Sequence, residues 1–229
     1  MRRLALVLVA FALAGCSDVV AGEPRAASTA VNLLPTEPQI TAAVGNPLNT
    51  FGFRPFIGGP EIMPDGFRND DDASPIRCIG VTETMARITY DGAEILEAAR
   101  QSYFSLSPGV GVSGADAAVV RFGSESAARD RFETFVAEWT DCKGRSVVKR
   151  LRGTTGADVN AVIDGVIADG ALLTATVTTR QGDGSESHYV RAVGVRDATV
   201  VEVALAVARA GDQSTVQAAA VARAMLDKA

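Results

Sequence analysis

The sequence predicts an α+β fold, a single domain in which helices flank an antiparallel sheet. Three observations lead there. Five β-branched segments follow one another after Gly144, at 145–151, 161–167, 172–179, 189–195 and 199–208. The turns between them, among them Gln181-Gly182-Asp183-Gly184-Ser185 and Arg196-Asp197-Ala198, are too tight for helical crossovers, so neighbouring strands run antiparallel. Helical patterns stand on both sides of this run, one over 124–140 and one after Asp212.

The first residues read as a targeting segment. Arg2 and Arg3 precede about ten apolar residues, which is the length of a secretory core and too short to cross about 30 Å of hydrocarbon. Leu13-Ala14-Gly15-Cys16 follows, the layout of a bacterial lipoprotein signal in which Cys16 is acylated. The alternative is an ordinary secretory signal with a cysteine nearby. On the lipoprotein reading residues 1–15 are removed, and acyl chains on Cys16 hold the chain to the outer face of a membrane. Residues 16–32 are small, polar and aperiodic, and read as a flexible tether to a domain over 33–229.

The elements of that domain follow in order. Thr36-Glu37-Pro38 starts a short helix that carries Ile40 and Val44 on one face and stops at Gly45. Residues 46–75 form a long irregular segment rich in Gly, Pro, Asn and Asp. It holds Phe51, Phe53, Phe56 and Phe67, and either docks onto the core or lines a cleft. Phe51, Phe53 and Phe56 are the candidate ligand-binding residues. Asp70-Asp71-Asp72 lacks the alternating spacing of a calcium loop and reads as a solvated acidic turn. A short helix is expected over 82–90, capped by Thr82. Residues 93–100 have helix formers, but 102–106 look extended, and periodicity does not separate the two. A short strand is expected over 117–122.

The helix over 124–140 is the clearest element. Ala128, Phe132, Phe135, Val136 and Trp139 fall on one face, Ser124 caps it, and Glu125 suits its positive end. The closing helix, capped by Asp212 or Ser214, aligns Val216, Ala219, Ala220, Arg223 and Leu226.

Charge and cysteine content narrow the function. Without Arg2 and Arg3 the chain has 20 basic and 27 acidic side chains, a formal charge of −7. That balance argues against a nucleic-acid partner and against purely electrostatic adhesion to anionic lipid. With Cys16 acylated outside the cytosol, Cys78 and Cys142 remain as a pair, and a disulfide between them is the natural inference. Two buried free thiols are the alternative. With one histidine and no ligand at metal-binding spacing beside either cysteine, no metal site is expected.

No catalytic constellation stands out. Gly109-Val110-Gly111-Val112-Ser113-Gly114 fits a dinucleotide fingerprint in letters, but a strand follows where a helix is required, so it reads as a glycine-rich loop and no cofactor is expected. His188 is the only histidine, and no nucleophile elbow accompanies it.

Several blocks together resemble a known family. These are Leu33 through Gly45, then Cys78-Ile79-Gly80-Val81 with a helix ending in Tyr90, then Ala118-Val119-Val120-Arg121-Phe122 followed by the helix through Trp139 and Cys142. Their order and the Trp-x-x-Cys spacing are similar to the extracytoplasmic sensor domain of the mycobacterial receptor kinase PknH, a domain that also occurs in mycobacterial lipoproteins. The resemblance covers about residues 33–228. It implies a twisted antiparallel sheet flanked by helices, and a cleft for an unidentified ligand. The kinase's domain has a second disulfide for which this chain has no cysteines. The expectation is therefore a non-enzymatic lipoprotein that binds a small ligand or cell-envelope component, with a protein partner to carry any signal. A structural or protein-interaction lipoprotein without a ligand is the alternative.

Overall fold

The computed structural model describes residues 29–150 and 158–229. Cys16, the signal segment and residues 16–28 of the expected tether lie outside the described residues, as does Leu151 at the end of one expected strand.

Among the described residues, nine strands form one antiparallel sheet. They are β1 (Phe56–Gly58), β2 (Ala73–Ser74), β3 (Ile95–Phe104), β4 (Val112–Phe122), β5 (Ser146–Arg150), β6 (Asp158–Asp169), β7 (Leu172–Arg180), β8 (Glu186–Arg196) and β9 (Thr199–Val207). Their order across the sheet is β1-β3-β4-β9-β8-β7-β6-β5-β2. The five strands expected after Gly144 are all present, and hairpins join β6 through β9 in sequence. The glycine-rich stretch is the connection between β3 and β4, with Gly109 at φ 72° where a side chain would be strained.

Among the described residues, five α-helices cover both faces: α1 (Thr29–Leu33), α2 (Glu37–Val44), α3 (Ile79–Thr82), α4 (Glu125–Cys142) and α5 (Asp212–Leu226). Period-two alternation along the central strands feeds two separate cores. Val201, Val203 and Leu205 of β9 face one way, onto Ile40 and Val44 of α2 and Ala218, Val221, Ala222 and Met225 of α5. Val200 faces the other way with Val120, Phe122, Ile163 and Val193, onto Phe132, Phe135 and Trp139 of α4. The amphipathic face read for 124–140 is thus the buried face, except that Val136 is only half-buried.

Caps follow the sequence closely at α2 and α4. Thr36 Oγ1 accepts from the Gln39 amide, Gln39 Oε1 accepts from the Thr36 amide, and Gly45 ends the helix at φ 79°. Ser124 Oγ accepts from the Ala127 amide. At α5 the cap is Gly211, not Asp212 or Ser214; Ser214 sits three residues on and its Oγ accepts from the Gly211 amide at 3.0 Å.

Four further expectations change. Folded structure is present before Leu33, because α1 lies largely inside the segment read as tether. Ala30 is fully buried, and its amide donates to Glu97 at 2.9 Å. The helix over 82–90 is replaced by α3, which ends rather than begins at Thr82, and by a 3₁₀ turn over Arg87–Tyr90. Met85, at φ 54°, breaks the helix between them. The open reading of residues 93–100 closes as strand from residue 95 onward, since β3 pairs with β4 over Ile95 to Phe104 and buries Ala98 and Ala99. Finally, the acidic turn is solvated only in part: Asp70 and Asp71 are exposed, but Asp72 is buried and takes both the backbone amide and Nε of Arg68, while Asp70 Oδ1 accepts from the Ile76 amide.

Cys78 and Cys142 form a disulfide, with Cα atoms 5.7 Å apart and 64 positions between them. It joins the C-terminal end of α4 to the turn that leads into α3.

Candidate functional site

Where the far end of the sheet runs beyond α4, its face opens into a cleft of about 460 Å³. Seven strands supply the floor, with Arg100 and Ser102 from β3, Asp116 from β4, Ala204 from β9, Tyr189 and Arg191 from β8, Val177 and Thr179 from β7, Val159 from β6 and Lys149 from β5. Pro64, Phe67 and the stretch Thr82-Glu83-Thr84 wall the opposite side. The break after α3 is what brings Glu83 there, in extended conformation.

The charges differ in how they are satisfied. Arg191, buried on β8, is held from below. Its Nη2 donates to Glu202 Oε2 at 2.6 Å, its Nη1 to the Val81 carbonyl and its Nε to the Val203 carbonyl, both at 3.3 Å. Tyr90 Oη donates to the second oxygen of Glu202 at 2.5 Å, and the Met85 amide also donates to that carboxylate. Burial pushes the Glu202 carboxyl above the usual carboxylate range, and Arg191 and these hydrogen bonds pull against that push. Burial and the Glu202 charge push the Tyr90 phenol far up, so it stays a neutral donor. Lys149 Nζ donates to Glu83 Oε1 at 2.6 Å, bridging floor to wall.

Arg100 is different. Its guanidinium lies 4.5 Å from the ring centre of Phe56, and among the described residues no carboxylate pairs with it and nothing accepts from its Nε. Its neighbour on the same face, Ser102, donates its hydroxyl to Asp116. The cleft therefore presents one uncompensated cation beside a carboxylate, hydroxyls and an aromatic ring. That set can hold a polar molecule by hydrogen bonds.

Of the residues singled out in the sequence, Cys78 and Cys142 come together. Phe51 and Phe53 lie outside the cleft lining, exposed at the edge of the sheet. Phe56 reaches the cleft only through Arg100. The aromatic that the long loop does place in the wall is Phe67. Sequence reading missed Arg100, Lys149, Arg191 and Glu202. For the last two a signal exists: single charges at Arg191 and Glu202 interrupt the apolar runs around Val190 and Val201.

His188 lies on the opposite face, in a shallow depression beside the start of α5. Thr178 Oγ1 donates to Asp164 at 2.8 Å and lies 3.2 Å from His188 Nδ1, and Glu186 is 3.5 Å from Nε2. With its proton on Asp164, the Thr178 oxygen accepts from His188, so the histidine donates where a base would abstract. Thr178 also sits on a strand paired on both sides, whose amides are engaged in the ladder and do not form an oxyanion hole.

Among the described residues no helix is long and apolar enough to cross a membrane, and no cluster of three or more His, Cys, Asp or Glu is placed to hold a metal. No curated protein matches the sequence. The fold is similar to the crystal structure of the extracellular domain of PknH from Mycobacterium tuberculosis, with a TM-score of 0.71 and 19% identity over 87% of this chain and 93% of that one. The PknH-like extracellular domain family matches residues 26–228, which takes in both cores, the disulfide and the cleft, and the chain belongs to that family.

Proposed function

We propose that this is a membrane-anchored, non-enzymatic lipoprotein whose sensor-type domain binds a small polar ligand or cell-envelope component in the cleft, on the extracytoplasmic side of the membrane. Membership of an extracellular domain family and the lipoprotein pattern ending in Cys16 support the location. The observation that carries the binding reading is Arg100. A cationic group without a counter-charge lines a cleft in which Lys149 and Arg191 are already paired, so a ligand acceptor would complete the site.

Mass spectrometry of the native protein purified from its membrane tests the reading. A polar molecule should co-purify at near-stoichiometric amounts. Arg100→Gln should weaken its binding by about tenfold, the size of one lost charge-assisted hydrogen bond. Repeated preparations with an empty cleft would sink the binding role. Incorporation of labelled palmitate, abolished by Cys16→Ala, tests the anchor separately.

A structural or protein-interaction role without a ligand is the second reading. It draws on the exposed aromatic side chains at the sheet edge.

A further inference from the structure

The exposed apolar surface is concentrated at one corner of the molecule. Nine large hydrophobic side chains are exposed among the described residues, and six belong to two segments that meet there: Phe51 (50%), Phe53 (66%), Phe56 (58%), Ile57 (43%), Phe104 (41%) and Leu106 (81%). The segments are joined, since Asn49 and Phe104 exchange backbone hydrogen bonds at 2.8 and 2.9 Å and the Phe53 and Phe104 rings meet edge-on at 6.4 Å. Isolated exposed apolar residues are ordinary, but six on joined segments form a patch on the order of 500 Å² that calls for an occupant.

The backbone presents this patch at a local cost. Thr50 to Phe53 is a tight turn closed by the Phe53 amide on the Thr50 carbonyl at 3.0 Å, with Phe51 at φ 50° and Gly52 at φ 79°. A bulky residue rarely takes that left-handed conformation, and here it carries the Phe51 ring outward into solvent rather than into the core.

Charge says what the occupant is. The mature chain is strongly acidic, yet residues 46–59 contain no acid and one cation, Arg54, and residues 104–111 contain no charge of either sign. The one carboxylate against the turn, Glu37, is engaged by the Thr50 amide and hydroxyl, and the segments themselves supply phenylalanines, an arginine and no acid, which suits the phosphate and acyl boundary of a bilayer, where aromatic rings settle.

The length of chain outside the described residues allows it. Thr29 is fixed near the other end of β3, where its hydroxyl donates to Glu97 at 3.1 Å. From Cys16 to Thr29 the chain spans up to about 45 Å when extended, against about 33 Å for the ten residues of β3. An acyl anchor at Cys16 can therefore lie in the same bilayer surface as the patch.

We propose that this aromatic corner, centred on Phe51, Phe53 and Phe104, seats the domain directly on the lipid bilayer. It acts as a second, non-covalent contact beside the acyl anchor, and so rests on the anchor reading for delivery to the surface. The cleft opens at the same end of the sheet, through Arg100 and Ser102, and is held beside the lipid.

Depth-dependent quenching tests this on the full chain, isolated from membranes and reconstituted into phosphatidylcholine–phosphatidylglycerol vesicles with brominated acyl chains. The expected result is that Phe53→Trp emission falls by more than half. Ile167→Trp, similarly exposed at 61% but on β6, five strands across the sheet from β3, should fall no further than the parent chain, whose single Trp139 is buried. Vesicle-bound protein in which both added tryptophans are quenched alike and weakly overturns the docking and leaves the anchor standing. A chain that stays in the supernatant overturns both. A dimer in sedimentation that Phe53→Ser dissolves, together with weak quenching, overturns the proposal in favour of a second copy as the occupant.

Discussion

Glu202 is the residue on which the charged interior turns. It is buried, and it compensates Arg191 while accepting from Tyr90, so removing its charge leaves a guanidinium in the core with only carbonyl partners. Glu202→Gln should therefore destabilise the domain by about 3–5 kcal/mol, read as a lower urea midpoint at unchanged slope. Glu37 offers a test of pH dependence. Its carboxylate accepts from the Thr50 hydroxyl at 2.7 Å and the Thr50 amide at 2.8 Å, and those bonds hold its carboxyl below the usual value. The folded state thus binds fewer protons at Glu37 than the unfolded state, and this contribution is present above the unfolded value and lost as pH falls through the folded one. Glu37→Gln should flatten the acid limb of the stability–pH curve by lowering the plateau near neutrality, with little change at low pH where the carboxyl is already protonated. For Glu202 the sign is opposite, because a raised carboxyl favours the folded state less as pH climbs past the ordinary carboxylate range.

At the scale of elements, the disulfide carries the clearest expectation. Cys142 ends α4 and Cys78 precedes α3, so the bond fixes the turn whose continuation delivers Val81, Glu83 and Met85 to the charged residues of the sheet. The double change Cys78→Ser with Cys142→Ser should cost about 2–5 kcal/mol in thermal or urea unfolding. In the unchanged protein neither thiol should alkylate before reduction; alkylation of both would break this account. The same stretch shows where sequence legibility ends. Residues 145–208 declare themselves because β-branched runs and tight turns are local signals. The helix expected over 82–90 does not form because Lys149 and Glu202, 66 and about 115 positions away, hold Glu83 and Met85 out of helical geometry. Residues 95–100 contain helix formers but pair with β4, and 98–100 with β1 as well, and this pairing outweighs their propensity. The cleft is the least legible feature, since Arg100, Lys149 and Arg191 converge from strands far apart in the chain and no spacing marks them.

For the molecule as a whole, the consequence of one sheet serving two cores is cooperativity. Leu205 packs toward α2 and α5, while Trp139 reports from the opposite face. Leu205→Ala should lower stability by about 2–5 kcal/mol, and the Trp139 fluorescence transition should shift with the far-ultraviolet circular dichroism transition, not lag it. Two separate transitions would mean that the faces unfold independently. The family match over residues 26–228 spans both faces, in keeping with one sheet that serves two cores.

The two margins of the sheet are stubs: β1 has three residues and β2 has two. A full-length rim of free amides and carbonyls would invite a neighbouring chain to add on, and proteins crowded onto a surface meet such neighbours constantly. Ending the sheet in two short remnants leaves too little ladder at either margin for that growth.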